Sequence, residues 1–221
     1  MTALTEHPLS STELIKPKLR GVIHQYCFFV SLLTGVFMVW QTKPAELFFA
    51  TLIYSISLSL LLGTSALYHR IDWDPKARMW MRRLDHTMIF VLIAGTYTPL
   101  VYTKIDSQMS SLVLNVVWWA VVFGILLKLV WVSSPKWLSA IIYIALGWFA
   151  LVPLPDILES WGWPCVTWLL AGGLFYSLGV MAYVLKRPNP IKNVFGYHEI
   201  FHSCVVIAAA CHYISITYVA W

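Results

Sequence analysis

Seven apolar stretches, each about long enough to cross a lipid bilayer, leave this chain very few folds to choose from. They run over residues 21–40, 46–69, 84–103, 111–132, 137–155, 163–185 and 198–220. A hydrocarbon layer about 30 Å thick is crossed by roughly 20 apolar residues in a helix. Inside lipid only a helix or a closed barrel pairs every backbone N–H and C=O, and runs of this length are helical. The expected fold class is therefore an all-α membrane protein, a seven-transmembrane helical bundle with short connections and antiparallel neighbours. Composition agrees: 59% of the 221 residues are hydrophobic and 11% are charged, where a soluble domain carries roughly 25% charged residues. Mean hydropathy is +0.72. The length suits one bundle, residues 20–221, behind a mobile cytoplasmic N-terminal tail of residues 1–19, with no second domain. Pro153 and Pro155 make the end of the fifth run its weakest boundary.

The loops set an orientation. With the N-terminus inside, the cytoplasmic face holds Lys16, Lys18, Arg20, Arg70, Lys76, Arg78, Arg82, Arg83, Lys136, Lys186, Arg187 and Lys192. The outer face holds only Lys43 and Lys104, and Lys128 sits near the inner end of the fourth run, where it can snorkel to the interface. This asymmetry predicts a cytoplasmic N-terminus and an external C-terminus. Trp73, Trp80, Trp131 and Trp137 then fall at the inner interface and Trp40, Trp161, Trp163 and Trp221 at the outer one, as in an aromatic belt. The net charge of +5 belongs to this topology signal and implies no nucleic acid. Cys27, Cys165, Cys204 and Cys211 all lie in or beside apolar runs without a CxxC, and read as buried free thiols. No cleavable signal peptide, low-complexity tract or internal repeat is expected.

Placed on this topology, the polar residues of three helices meet at one depth. Ser65 and His69, in "GTSALYHR", end the second run one helical turn apart on a shared face. Asp85 and His86, in "RRLDHTMIF", begin the third. His198 and His202, in "GYHEIFHS", begin the seventh, also on one face. All reach the cytoplasmic third of the membrane, although helices running up and down would as easily have scattered them. Three imidazoles, His69, His198 and His202, with a fourth position open are the ligand set of catalytic zinc, whose bound water has a pKa near 7. Asp85 could act as general base or positioning group, and Ser65 as a hydrogen-bond donor.

Each of these residues also has a structural reading. His-x3-His alone is a weak metal signal. His69 could be an interface residue beside Arg70, Asp85 could pair with Arg82 or Arg83, and Ser65 could bond back to its own helix. Their shared depth favours the site, since ionisable groups inside a membrane are costly and usually functional. His24 reads as a neighbour of the site or an interface residue. His86 is turned about 100° from Asp85. His212 lies roughly 15 Å beyond His202 and reads as a packing or hydrogen-bonding residue. His7 is in the tail, and Glu199 is expected to be solvated at its helix start.

The motifs "SALYH", "RRLDHTMIFVLIAGTYTP" and "YHEIFH" resemble the hemolysin III family, the bacterial branch of the progestin and adipoQ receptor family, over nearly the whole chain. The resemblance implies a seven-helix fold with a cytoplasmic N-terminus. It also implies zinc bound near the cytoplasmic side by the residues that match His69, His198 and His202. Asp85 matches an aspartate that reaches the zinc through water, and Ser65 a serine of the same site. The wider superfamily includes alkaline ceramidases, which hydrolyse a lipid amide. The chain departs from the receptors in lacking a long N-terminal domain and an extended C-terminal tail, which argues against a hormone receptor.

The leading expectation is a zinc-dependent hydrolase of a lipid amide or ester in a bacterial inner (plasma) membrane, with membrane lipid as its partner. Asp85 would manage the proton and Ser65 would assist. Gly95, Thr96 and Pro99 in "LIAGTYTP", with Gly172 and Gly173, would permit gaps or close helix packing. Two alternatives belong to other classes: a non-enzymatic sensor of membrane state with zinc as a structural clamp, and a lytic or channel protein.

Overall fold

The computed structural model describes residues 16–102, 107–131 and 133–221. Among them, seven α-helices follow one another: α1 Val22–Gln41, α2 Phe48–Arg70, α3 Pro75–Val101, α4 Ser107–Val130, α5 Lys136–Trp148, α6 Leu154–Leu185 and α7 Tyr197–Ala220. Short 3-10 turns, Ala45–Leu47 and Phe149–Leu151, precede α2 and follow α5. There is no named strand among the described residues, only an isolated bridge between Ile191 and Phe195. Six helical segments are long and apolar enough to cross a membrane: Val22–Gln41, Ala45–Arg70, Pro75–Val101, Gln108–Val130, Leu154–Leu185 and Tyr197–Ala220. The protein is a multi-pass, all-helical membrane protein.

The helices pack mainly against their sequence neighbours, and α7 closes the bundle against α6, α1 and α3. Tyr54, Phe90, Leu100, Ile157 and Ile216 fill the centre, while Phe29, Leu33, Trp40, Phe49, Trp119, Phe123 and Trp163 stand exposed on the outer surface. An apolar surface of this kind suits lipid and would be untenable in water. Two glycines allow helices to touch backbone to side chain. A Cβ on Gly95 of α3 would overlap the Ser57 hydroxyl of α2, and one on Gly172 of α6 would overlap the His212 ring of α7. Of the three expected glycines, Gly95 and Gly172 therefore serve close packing, while a Cβ on Gly173 would meet only the Trp148 ring at 3.7 Å.

Three boundaries depart from the sequence reading. First, α3 begins at Pro75 rather than at 84. Asp74 caps it, its Oδ1 accepting from the backbone N–H of Lys76 at 3.0 Å and Ala77 at 3.1 Å, with proline at the first helical position. Asp85 and His86 consequently lie about 15 Å along the helix, not at its start. Second, α5 is short. Its 13 residues span roughly 20 Å, less than the hydrocarbon layer. Pro153 ends the segment, and its carbonyl accepts from Ile157 N–H at 2.9 Å as α6 begins. The last carbonyls of α5 are met from α3 instead, where the single O–H of Tyr97 is shared between the carbonyls of Leu146 and Gly147, 2.9 Å from each. Gly162, at φ 77°, then breaks α6 just before the run expected at 163. Third, the chain ahead of α1 is anchored where it is described. Lys18 and Leu19 N–H donate to Asn193 and Val194 carbonyls at 3.0 and 3.3 Å. The rest of the expected mobile tail, residues 1–15 with His7, lies outside the described residues, as does Lys104.

The close approach at Gly95 makes a direct prediction. Gly95→Leu should destabilise the bundle by about 1–3 kcal/mol through overpacking and lower its thermal midpoint in detergent. Gly147→Ala, whose Cβ meets nothing within 4 Å, should leave the midpoint unchanged or higher. Equal midpoints for both variants would contradict the packing described.

Candidate metal centre

Helices α2 and α7 supply three imidazoles to one point. His69 ends α2 and His202 lies on the second turn of α7, both buried, with His198 half-buried one turn before His202. Nε2 of His69 and Nε2 of His198 are 3.2 Å apart. The ring centroids are 4.7 Å apart for His69–His198, 5.0 Å for His69–His202 and 4.7 Å for His198–His202. One nitrogen from each ring falls within 4.8 Å of the others. Four-coordinate zinc with Zn–N bonds of about 2.0–2.1 Å holds its ligand nitrogens about 3.4 Å apart; the His69–His198 pair, at 3.2 Å, is close to that, and His202 lies within 4.8 Å of both. Three neutral imidazole nitrogens without a thiolate are a donor set suited to a first-row divalent metal, zinc included. The residues present therefore fit a metal ion bound by three histidines.

The remaining predicted residues share a cavity of about 260 Å³ with these histidines. Ser65, buried one turn before His69, lines it together with Asp85 of α3. No ion pair joins Asp85 to Arg82 or Arg83 among the described residues, and the Arg83 guanidinium lies over the Trp80 ring at 4.5 Å. His86 Nδ1 donates to the Arg82 carbonyl at 2.7 Å, one turn back, and sits 3.8 Å from Asp85 Oδ2. His212 stays clear of the site, its Nε2 donating to the Leu169 carbonyl at 3.1 Å.

Two expectations are corrected here. Glu199 is not solvated. It is 1% exposed, and its Oε1 accepts from Arg20 Nε at 2.5 Å while Oε2 accepts from Gly196 N–H at 2.8 Å. One carboxylate thus satisfies the start of α7 and draws in the arginine just ahead of α1. Lys128 does not snorkel. It is 1% exposed, and its Nζ donates to Ser134 Oγ at 2.8 Å and Ser139 Oγ at 2.5 Å, turned into the cavity.

Two further residues, His24 and Tyr143, support the site from outside its motifs. His24 of α1 is buried with its ring stacked on that of His202, centroids 3.9 Å apart and planes 4° from parallel. This contact holds the orientation of one of the three clustered imidazoles. Tyr143 Oη donates to the His86 carbonyl at 3.0 Å, joining α5 to α3 beside Asp85. No motif spacing signals either contact, because each joins helices far apart in the chain.

A family profile described as Haemolysin-III related matches residues 12–213. The chain is 29% identical to the Hemolysin-3 homolog of Bacillus subtilis over 166 residues, covering 75% of each protein. It is 28% identical to Hemolysin-3 of Bacillus cereus over 188 residues, 83% of this chain and 85% of that one. It is also 29% identical over 198 residues to the adiponectin receptor protein of Drosophila melanogaster, covering 81% of this chain and 44% of the receptor.

Single changes of His69, His198 or His202 to Ala should reduce bound zinc from about one per chain towards none, measured by elemental analysis; undiminished zinc in all three would refute the site. Arg20→Met should lower stability by about 3 kcal/mol, since it leaves the buried Glu199 charge without its partner. Adding Glu199→Gln should recover part of that loss in the thermal midpoint, and no recovery would argue that Arg20 acts by packing alone.

Proposed function

The chain belongs to the haemolysin-III related family, within the progestin and adipoQ receptor family, and on that premise we propose that it is a zinc-dependent membrane hydrolase of a lipid amide or ester. The observation that carries this reading is the meeting of two cavities. The polar one holds the three histidines, Asp85 and Ser65; the second, about 120 Å³, is lined largely by apolar groups such as Leu92, Ile93, Leu100 and Trp148. Leu61, Ile89, Tyr143, Val180, Phe201 and Val205 line both. An acyl chain in the apolar part would place its carbonyl in the polar part, at the metal ligands.

Zinc bound there supplies a Lewis acid and an acidified water. The protein's own groups do the rest. His69, His198 and His202 hold the ion, and His24 fixes the plane of His202. Asp85 takes up a proton and returns it to the leaving nitrogen or oxygen. Ser65 keeps the Asp85 carboxylate turned inward by donating to it. The apolar walls exclude water and align the chain, so that the carbonyl is presented in one orientation.

The topology that serves this chemistry has seven crossings, a cytoplasmic N-terminus and an external C-terminus, in a bacterial plasma membrane. The short α5 would complete its crossing with Phe149–Leu151 and the first turns of α6. The twelve-to-two division of basic residues supports that orientation. A second reading, zinc as a structural clamp in a membrane-state sensor, is favoured by one observation: the ligands come from two helices, α2 and α7, far apart in the chain.

Asp85→Asn should lower hydrolysis of a ceramide-type amide or fatty ester by about 10²-fold or more with zinc content and thermal midpoint unchanged. Full hydrolysis in the variant would refute Asp85 as the proton carrier. A wild type that loses stability on chelation yet cleaves no lipid would favour the clamp.

A further inference from the structure

The polar cavity carries more positive charge than a site for a neutral lipid requires. Lys128 enters it from α4, and Arg78 and Arg82 from α3. Arg20 also lines it, but its charge is met by Glu199. Against Lys128, Arg78 and Arg82 the lining offers one carboxylate, Asp85, so three cations face one anion with an excess of two positive charges. A divalent metal at the histidines increases that excess.

Lys128 makes the imbalance specific. The residue is 1% exposed and no carboxylate among the described residues lies within ion-pair distance of its ammonium. Both of its acceptors, Ser134 and Ser139, are neutral hydroxyls, and an ammonium has three protons to donate. A buried cation without a counter-charge is costly in a membrane, and such residues mark the path of a charged ligand. Ser134 and Ser139 accept from Lys128 and share a hydrogen bond with each other at 3.4 Å, so one of the two O–H groups is engaged between them and the other can point onward. Guanidinium forks, an ammonium and hydroxyl donors around one space match a group that presents several oxygens, as phosphate does, better than the two oxygens of a carboxylate.

The geometry points to a phosphate-binding site formed by Arg78, Arg82, Lys128, Ser134 and Ser139, which holds the headgroup of a phosphate-bearing lipid beside the histidine centre. The phosphate site stands on the cavity's charge alone. Its assignment to a lipid rests on the hydrolase reading, because the apolar cavity that takes the chain is the one proposed there.

The test uses the full-length, zinc-loaded protein in an uncharged detergent, titrated with short-chain phosphatidic acid, with diacylglycerol of the same chains, and with inorganic phosphate. Bound species are read by native mass spectrometry and zinc by elemental analysis. Phosphatidic acid should bind about tenfold or more tightly than diacylglycerol, the order expected for a charge-assisted contact. That preference should disappear in Lys128→Met and in Arg82→Gln and survive in Lys128→Arg, with zinc unchanged throughout. Inorganic phosphate binding as tightly as phosphatidic acid, with the same dependence on Lys128, would assign the site to free phosphate and overturn the lipid assignment. Equal binding of phosphatidic acid and diacylglycerol, without phosphate binding, would overturn the site itself. Hydrolysis of a neutral amide, measured in parallel, keeps the two proposals separate: loss of the phosphate preference with cleavage intact fails only this one, and the converse fails only the hydrolase.

Discussion

Hydrocarbon offers no hydrogen-bond partners, and most of this structure follows from that. Polar groups inside the bundle must find one another or open onto a cavity. At the histidine end of the bundle Glu199 is met by Arg20 and its own helix start, and Lys128 by two serines. The same pressure draws His69, His198 and His202 together, because three imidazoles that face each other across 3.2–4.8 Å are best satisfied by a cation between them. Burial thus gathers the three histidines, Asp85 and the basic residues Arg78, Arg82 and Lys128 on one cavity.

Much of the fold was legible because a bilayer imposes a length on each crossing. The starts and ends of α1, α2 and α7 lie within a few residues of their apolar runs. What escaped was set by local chemistry that hydropathy does not weigh. Asp74 and Pro75 start α3 well before its apolar stretch, so a charged first turn extends the helix beyond its hydrophobic run. Pro153 and Gly162 divide the fifth and sixth runs into a short α5 and a broken α6.

The site was legible for a related reason: a histidine or aspartate is rare inside an apolar run, and His-x3-His puts two rings on one helix face. Asp85 and Ser65, expected beside the histidines from their depth and from the family motifs that hold them, do line the same cavity. The stack of His24 on His202 was not readable, because it joins α1 to α7 across the whole chain. Glu199 was misplaced because the first turn of a helix is usually wet. Here Arg20, just ahead of α1, folds over it. Lys128 was misplaced because a lysine near a helix end usually reaches for water, whereas Ser134 and Ser139 give this one acceptors inside.

The central claim is a zinc ion bound by three histidines with one position open to water. Zinc-edge X-ray absorption on the purified protein tests it without reference to any substrate. The account predicts three nitrogen scatterers at about 2.0–2.1 Å with imidazole multiple scattering, and one further oxygen. A sulfur shell at about 2.3 Å, or a spectrum of hydrated zinc without imidazole features, would contradict it.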